Sequence, residues 1–103
     1  MEICPYLQYS FEILGKKWNG LIVHYLSICP NGSAHFSEMK RDLPDITPRS
    51  LSLKLTELGE YGLIEKKVVT GSPVIISYEL TEKGRSLTAA LESIQKWALQ
   101  YKN

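Results

Sequence analysis

Two prolines close together, in Leu43-Pro44-Asp45-Ile46-Thr47-Pro48, constrain this chain more than any other feature. No helix runs through that stretch, because proline lacks an amide proton and its ring clashes with the preceding turn. A helix can start at the second proline. Thr47 can cap free backbone N–H groups, and Pro48 at the first helical position forfeits no internal bond. Leu51, Leu55 and Leu58 then fall at helical spacing and make one apolar stripe. The other side carries Arg49, Ser50, Ser52, Leu53, Lys54 and Glu57, and Gly59 to Gly62 permits the exit. Upstream, Ser37 is placed to cap a short helix from Glu38 to Asp42, with Met39 and Leu43 inward. Two short helices around a tight break predict a helix-turn-helix. The second helix has two readings. With one face in a core, its hydroxyls and two cations could meet phosphates and base edges, Arg reading guanine. It could equally be an ordinary amphipathic helix with a solvated face.

The flanking segments supply context. Residues 5–14 read as a first helix with Leu7, Phe11 and Leu14 on one stripe, Pro5 in its first turn and Gly15 as its stop. Residues 21–28 are apolar nearly all round, which predicts a central buried helix, although β-branched content leaves a strand open. Cys29-Pro30-Asn31-Gly32-Ser33 is a turn by composition, and Ala34-His35-Phe36 a short strand. Residues 63–69 and 74–80 are β-branched around Thr70-Gly71-Ser72-Pro73, the pattern of a hairpin. A hairpin after a helix-turn-helix is the wing of a winged helix, or else a plain cover for the core. Its tip has no Lys or Arg, so phosphate contacts there would come from Lys66 and Lys67 on the flank or from backbone N–H groups. Thr81 caps a final helix from Glu82 to about Tyr101, where Leu87, Leu91, Ile94, Ala98 and Tyr101 recur at four-three spacing beside Trp97. So long a stripe needs a partner, either its own domain or a second copy of the chain. The expected fold is a single α+β winged helix-turn-helix domain over 1–103. Its terminal helices, about 5–14 and 82–101, are expected to form a dimer interface through Leu7, Phe11, Leu87, Leu91, Ile94, Trp97 and Tyr101.

A net charge of +1 does not itself point to nucleic acid. The local basic residues are Lys40, Arg41, Arg49 and Lys54, against Asp42 and Asp45. No apolar run reaches transmembrane length and there is no secretory signal, so no membrane partner and a cytoplasmic location are expected. Cys4 and Cys29 are far apart and lack CxxC spacing, so neither zinc nor a permanent disulfide is expected. His24 and His35 are isolated. There is no catalytic pair and no phosphate-cradling glycine loop, so neither an enzyme nor a cofactor is expected.

Cys4 precedes Pro5 at the start of the first helix, where the positive end of the helix dipole favours a thiolate, the form that attacks a quinone or is oxidised. The other readings are a small residue filling space near a mobile terminus, or a buried inert thiol. Cys29 follows a helix C-terminus, where the dipole disfavours a thiolate and a buried structural role fits better.

Taken in order, several pieces resemble one family over nearly the whole chain. They are Cys4-Pro5, Leu14-Gly15-Lys16-Lys17-Trp18, Leu21-Ile22, His35-Phe36-Ser37-Glu38-Met39, Ile46-Thr47, Leu55 with Leu58, Gly62-Leu63-Ile64-Glu65, Tyr78-Glu79-Leu80-Thr81-Glu82-Lys83-Gly84 and Trp97. This set is similar to the HxlR-type winged-helix regulators, and most similar to the quinone- and electrophile-sensing repressors of Gram-positive bacteria. The resemblance implies a MarR/HxlR-like fold and a homodimeric repressor on a palindromic double-stranded operator. It would leave the DNA when a small quinone or other electrophile modifies a cysteine. Cys4 matches the family's sensing cysteine, and Cys29 is the one candidate for a disulfide partner across the dimer. Many members have a further cysteine near the C-terminus, which this chain lacks, and that puts disulfide switching in doubt.

Under this reading Lys40, Arg41, Thr47, Arg49, Ser50, Ser52 and Lys54 would meet DNA, with Lys66, Lys67 and Ser72 in the wing. Tyr6, Tyr9, Phe11, Trp18, Tyr25 and Trp97 are candidates to stack on a flat effector, though packing explains each as well. Three alternatives stay open: a winged-helix dimer that binds protein, a regulator with a non-thiol ligand, and a small thiol enzyme.

Overall fold

A computed structural model of the chain describes residues 1–103. The elements are α1 (Pro5–Leu14), α2 (Asn19–Ile28), a 3-10 turn (Pro30–Gly32), β1 (Ser33–His35), α3 (Phe36–Asp42), α4 (Pro48–Glu60), β2 (Ile64–Val69), β3 (Ile75–Leu80) and α5 (Glu82–Tyr101). The strands form one antiparallel sheet in the order β1-β3-β2, so β1 joins the hairpin and leaves β3 central. A single cluster of buried side chains holds the helices to this sheet. Ile22, Val23 and Leu26 come from α2, Met39 from α3, Leu51, Leu55 and Leu58 from α4, and Ala34, Leu63, Ile64, Tyr78 and Leu80 from the sheet side.

The helix-turn-helix forms as its sequence dictates. The Thr47 hydroxyl accepts from the Ser50 amide at 3.1 Å, and Pro48 opens α4. At the other end Gly62 (φ +77°) lets the chain reverse, the Gly62 amide bonding to the Gly59 carbonyl and the Leu63 amide to the Leu58 carbonyl, both at 3.0 Å. Leu58 and Leu63, the apolar pair that accompanies this ending, are both buried. Thr81 stitches α5 to the same corner. Its amide donates to Leu63 O, its hydroxyl donates to Gly62 O, and that hydroxyl accepts from the Gly84 amide.

Two local expectations need correction. Ser37 does not cap α3. The helix begins at Phe36, and His35 is the capping residue, its amide donating to Glu38 Oε1 at 2.8 Å. Strand pairing of β1 ends at His35, so the backbone turns into the helix two residues early. Nor is α2 buried all round. The core covers one side, while Leu21 (58% exposed) and Ile28 (69%) face outward.

The molecule is elongated, 56 × 32 × 24 Å, with a radius of gyration of 14.8 Å against about 13 Å for a compact chain of this size. The excess is α5, which at 20 residues is about 30 Å long. Leu87 and Leu91 pack on the protein's own core, but Ile94, Trp97, Leu99 and Tyr101 lie exposed beyond it. On α1, Leu7 and Phe11 are also exposed and Ile13 alone is buried.

Candidate nucleic-acid interface and sensing cysteine

The outward side of α4 is set by its buried stripe. With Leu51, Leu55 and Leu58 in the core, Arg49, Ser52, Leu53 and Thr56 form the opposite surface. Arg49 makes no ion pair. Ser50 is half-buried and its amide is taken by the cap. Lys54 lies on the flank, 3.6 Å from Glu57, so it sits less outward than its sequence position suggested. Thr56, absent from the sequence expectations, belongs to the outward side; helical spacing from Arg49 and Ser52 could have found it.

The remaining predicted cations divide into free and paired. Lys40 is free of acids and rests 5.4 Å from the Phe36 ring centre. Arg41 grips Asp42 through two nitrogens, at 2.8 and 3.1 Å. That guanidinium, with the Tyr25 hydroxyl donating at 2.7 Å, holds the Asp42 carboxyl down at about 2. Tyr25 itself is pushed up by burial first, then by its bonds to Asp42 and Cys29. In the wing Lys67 bonds Glu79 at 3.2 Å, while Lys66 has no acidic partner and Ser72 is exposed at the tip. Lys40, Arg49 and Lys66 are thus the predicted contacts with undiverted charge.

A polar latch, which sequence reasoning missed, fixes α4 against the elbow between α1 and α2. Trp18 holds that elbow in a left-handed conformation (φ +81°). Asn19 follows, fully buried, its Nδ2 donating to the Ile13 carbonyl at 2.9 Å and to Glu57 Oε1 at 3.3 Å. Lys16 reaches the same Glu57 oxygen at 2.8 Å. The Lys16 bond holds the Glu57 carboxyl below its ordinary value, with Asn19 and Lys54 adding to the effect against partial burial. The elbow and the start of α2 therefore meet α4 at one carboxylate, through Lys16 and Asn19.

Cys4 is the N-cap residue of α1 and exposed, and its carbonyl accepts from the Gln8 amide at 3.0 Å. Lys16 and Lys17, the first cations along the chain, do not reach it. Lys16 is held by Glu57, and Lys17 lies over the Trp18 ring at 5.2 Å, both past the far end of α1, about 15 Å of helix away. The first turn of α1 is then the electrostatic feature beside the thiol. Cys29 is half-buried at the C-cap of α2, packed on the core. Among the aromatics, Tyr9 packs edge-on to Tyr61 and accepts from Lys83, Trp18 packs on the core, and Tyr25 holds Asp42. Tyr6 and Phe11 on α1 remain exposed, as does Trp97, which lies 5.6 Å from Tyr101 on α5. No helix is long and apolar enough to cross a membrane.

Known proteins share this fold. The transcriptional regulator YodB of Bacillus subtilis is 38% identical over 99 residues, 96% of this chain and 86% of YodB. The solved reduced form of YodB superposes with a TM-score of 0.84 at 37% identity, covering 99% of this chain and 97% of that one. Its quinone-bound form gives 0.80 at 38% identity, covering 95% and 100%. The oxidized form of the redox regulator HypR gives 0.82 at 30% identity, covering 97% and 99%. The HxlR-like helix-turn-helix family model matches residues 13–103, and the chain belongs to that family of winged-helix transcriptional regulators.

Proposed function

We propose that this regulator is a homodimeric repressor that binds a palindromic operator and releases it when Cys4 is modified by a quinone or related electrophile. The observation that carries the sensing half is the place of Cys4. It is an exposed thiol at the N-terminus of a helix that ends in the latch on α4. Quinone-bound and oxidized forms of the relatives YodB and HypR support the same choice of signal. The unpartnered apolar side chains of α1 and α5, Leu7, Phe11, Ile94, Trp97 and Tyr101, support the dimer, with Leu87 and Leu91 anchoring α5 to its own protomer.

In the DNA-bound form α4 enters the major groove, with Arg49 and Ser52 toward base edges and Thr47 and Ser50 at the helix start toward phosphates. Lys40 and Lys66 meet the backbone. Arg41, Lys54 and Lys67 contribute by exchanging an intramolecular carboxylate for a phosphate. A quinone adds to the Cys4 sulfur by conjugate addition. The S–C bond forms as the thiolate pair adds to a ring C=C, one proton from water completes the first hydroxyl, and the proton lost from the attacked ring carbon as the ring rearomatises ends on the second oxygen, giving the thioether-substituted hydroquinone. The added ring can lie on Tyr6 or Phe11 and on the partner's α5. This shifts the balance between two dimer arrangements with different separations of the α4 helices. A disulfide from Cys4 to Cys29 of the partner subunit is a secondary route, in which a peroxide oxidises the Cys4 thiolate to a sulfenic acid and the second thiol displaces its oxygen as water.

The test is an electrophoretic shift of reduced protein on its own upstream DNA, before and after one equivalent of a small quinone, with intact-mass analysis. Loss of the shift together with a single adduct on Cys4 is expected. An adduct on Cys4 with an unchanged shift would leave a DNA-binding regulator with another signal.

A further inference from the structure

The outward stripe of α4 has an unusual middle. Arg49, Ser52, Leu53 and Thr56 lie at spacings of three and four, on the side away from Leu51, Leu55 and Leu58. Leu53 is 61% exposed, and its neighbours on the stripe are a cation and two hydroxyl residues. It is therefore not part of a broad apolar patch of the kind α1 and α5 present to a protein partner. Thr56 has given its hydroxyl proton to the Ser52 carbonyl at 3.0 Å, so it offers an outside ligand only an acceptor and a methyl group. The sequence of α4, PRSLSLKLTELGE, contains no Asn or Gln, the side chains that read adenine with two hydrogen bonds. Arg49, without an acidic partner, is left to read guanine. A helix so equipped can tell an A·T pair from a G·C pair through the one apolar group in the major groove, the C5 methyl of thymine.

We infer that Leu53 is a specificity-determining residue that packs on a thymine methyl in each operator half-site, beside a guanine bound by Arg49. The inference rests on the DNA-binding reading of α4. Leu53 lies four residues beyond Arg49, about 6 Å along the helix axis. One base pair rises about 3.4 Å, which puts the thymine within roughly two base pairs of the guanine.

The test starts with double-stranded oligonucleotides selected from a random pool by the reduced wild-type protein. Each thymine of the winning site is then replaced by deoxyuridine, which removes the methyl and leaves base pairing intact. One position per half-site should lose about fivefold in affinity, the low end of what a single base contact contributes. A 5-methylcytosine·guanine pair there should bind better than cytosine·guanine. Leu53→Ala should bind the thymine site about fivefold more weakly and no longer distinguish thymine from deoxyuridine. Leu53 is exposed, so the variant should melt with the wild type, and matching melting curves check that it folds. Deoxyuridine without effect at every position overturns the inference, as does a Leu53→Ala protein that keeps the wild-type preference. DNA retained without any enriched sequence overturns it while DNA binding stands. No DNA retained at low salt removes the reading beneath it, and the inference falls as well.

Discussion

Asn19 is the residue whose loss the structure makes most consequential for its size. In Asn19→Ala the Ile13 carbonyl, one of the last acceptors of α1, loses its only side-chain donor, Nδ2 at 2.9 Å. Leaving such a buried acceptor unmade costs about 1–3 kcal/mol. The bond to Glu57 is longer, 3.3 Å, and Glu57 keeps Lys16 and Lys54, so its loss adds about 0.5 kcal/mol. Two effects oppose these. Asn19 Oδ1 is itself buried without a partner, and alanine is a better helix former by about 0.7 kcal/mol. Taking about 2 kcal/mol for the carbonyl and about 1 kcal/mol of relief for Oδ1, the net expectation is about 1 kcal/mol of destabilisation, or a fall of roughly 5 °C in melting temperature for a domain of this size. Thermal unfolding followed by circular dichroism checks it, at matched protein concentration because the midpoint of a dimer would move with concentration. Asn19→Asp sharpens the test. It puts acceptors against the Ile13 carbonyl and the Glu57 carboxylate, where both partners need a donor, so it should be worse than alanine. If the aspartate variant melts at or above the alanine variant, the latch is not what holds the elbow.

Other outcomes follow from the same contacts. Gly84→Ala should cost at least about 3 kcal/mol, seen as loss of soluble folded protein or a steep drop in melting temperature, because a Cβ there collides with the Leu63 carbonyl oxygen and comes within 3.0 Å of Leu80 Cδ2. Glu57 and Asp42 are both held below their ordinary values of 4.5 and 3.8, Asp42 at about 2. Their stabilisation is therefore complete above those ordinary values and is lost as pH falls through the folded ones. Glu57→Gln should flatten the fall of the melting-temperature profile below about pH 4.5, and an unchanged profile would place the acid sensitivity elsewhere. A dimer offering Lys40 and Lys66 from each protomer should neutralise about four phosphates and give a slope of log affinity against log salt near −4, steeper if Arg41, Lys54 or Lys67 also exchange partners. A slope near zero would instead favour a protein ligand.

The helix-turn-helix could be read from sequence because strong local rules agree there: two prolines, a threonine cap, a leucine stripe and a glycine exit. The hairpin and the start of α5 at Thr81 follow for the same reason. What escaped was long-range or atypical. The latch joins Lys16 and Asn19 to Glu57, which no periodicity links across 38 residues, and it depends on a bulky Trp18 in a conformation that favours glycine. The outward faces of Leu21 and Ile28 were hidden because an apolar sequence does not say how many sides are covered. The basic residues were legible as types but not as free charges. Arg41 sits beside its own acid, while Lys67 meets Glu79 only through the register of β2 on β3. Cys4 was legible as a helix N-cap thiol; its neighbours in a dimer lie beyond one chain.

The central claim is that one thiol, acting through the α1 end of the fold, decides whether α4 stays on DNA. The most direct measurement is operator affinity by fluorescence anisotropy for wild type and Cys4→Ser, each before and after treatment with a small quinone. Cys4 is exposed and makes no side-chain bond that the fold depends on, so the serine variant should bind the operator as tightly as the reduced wild type. Quinone should release the wild type and leave Cys4→Ser bound. Release of both proteins to the same extent would contradict it.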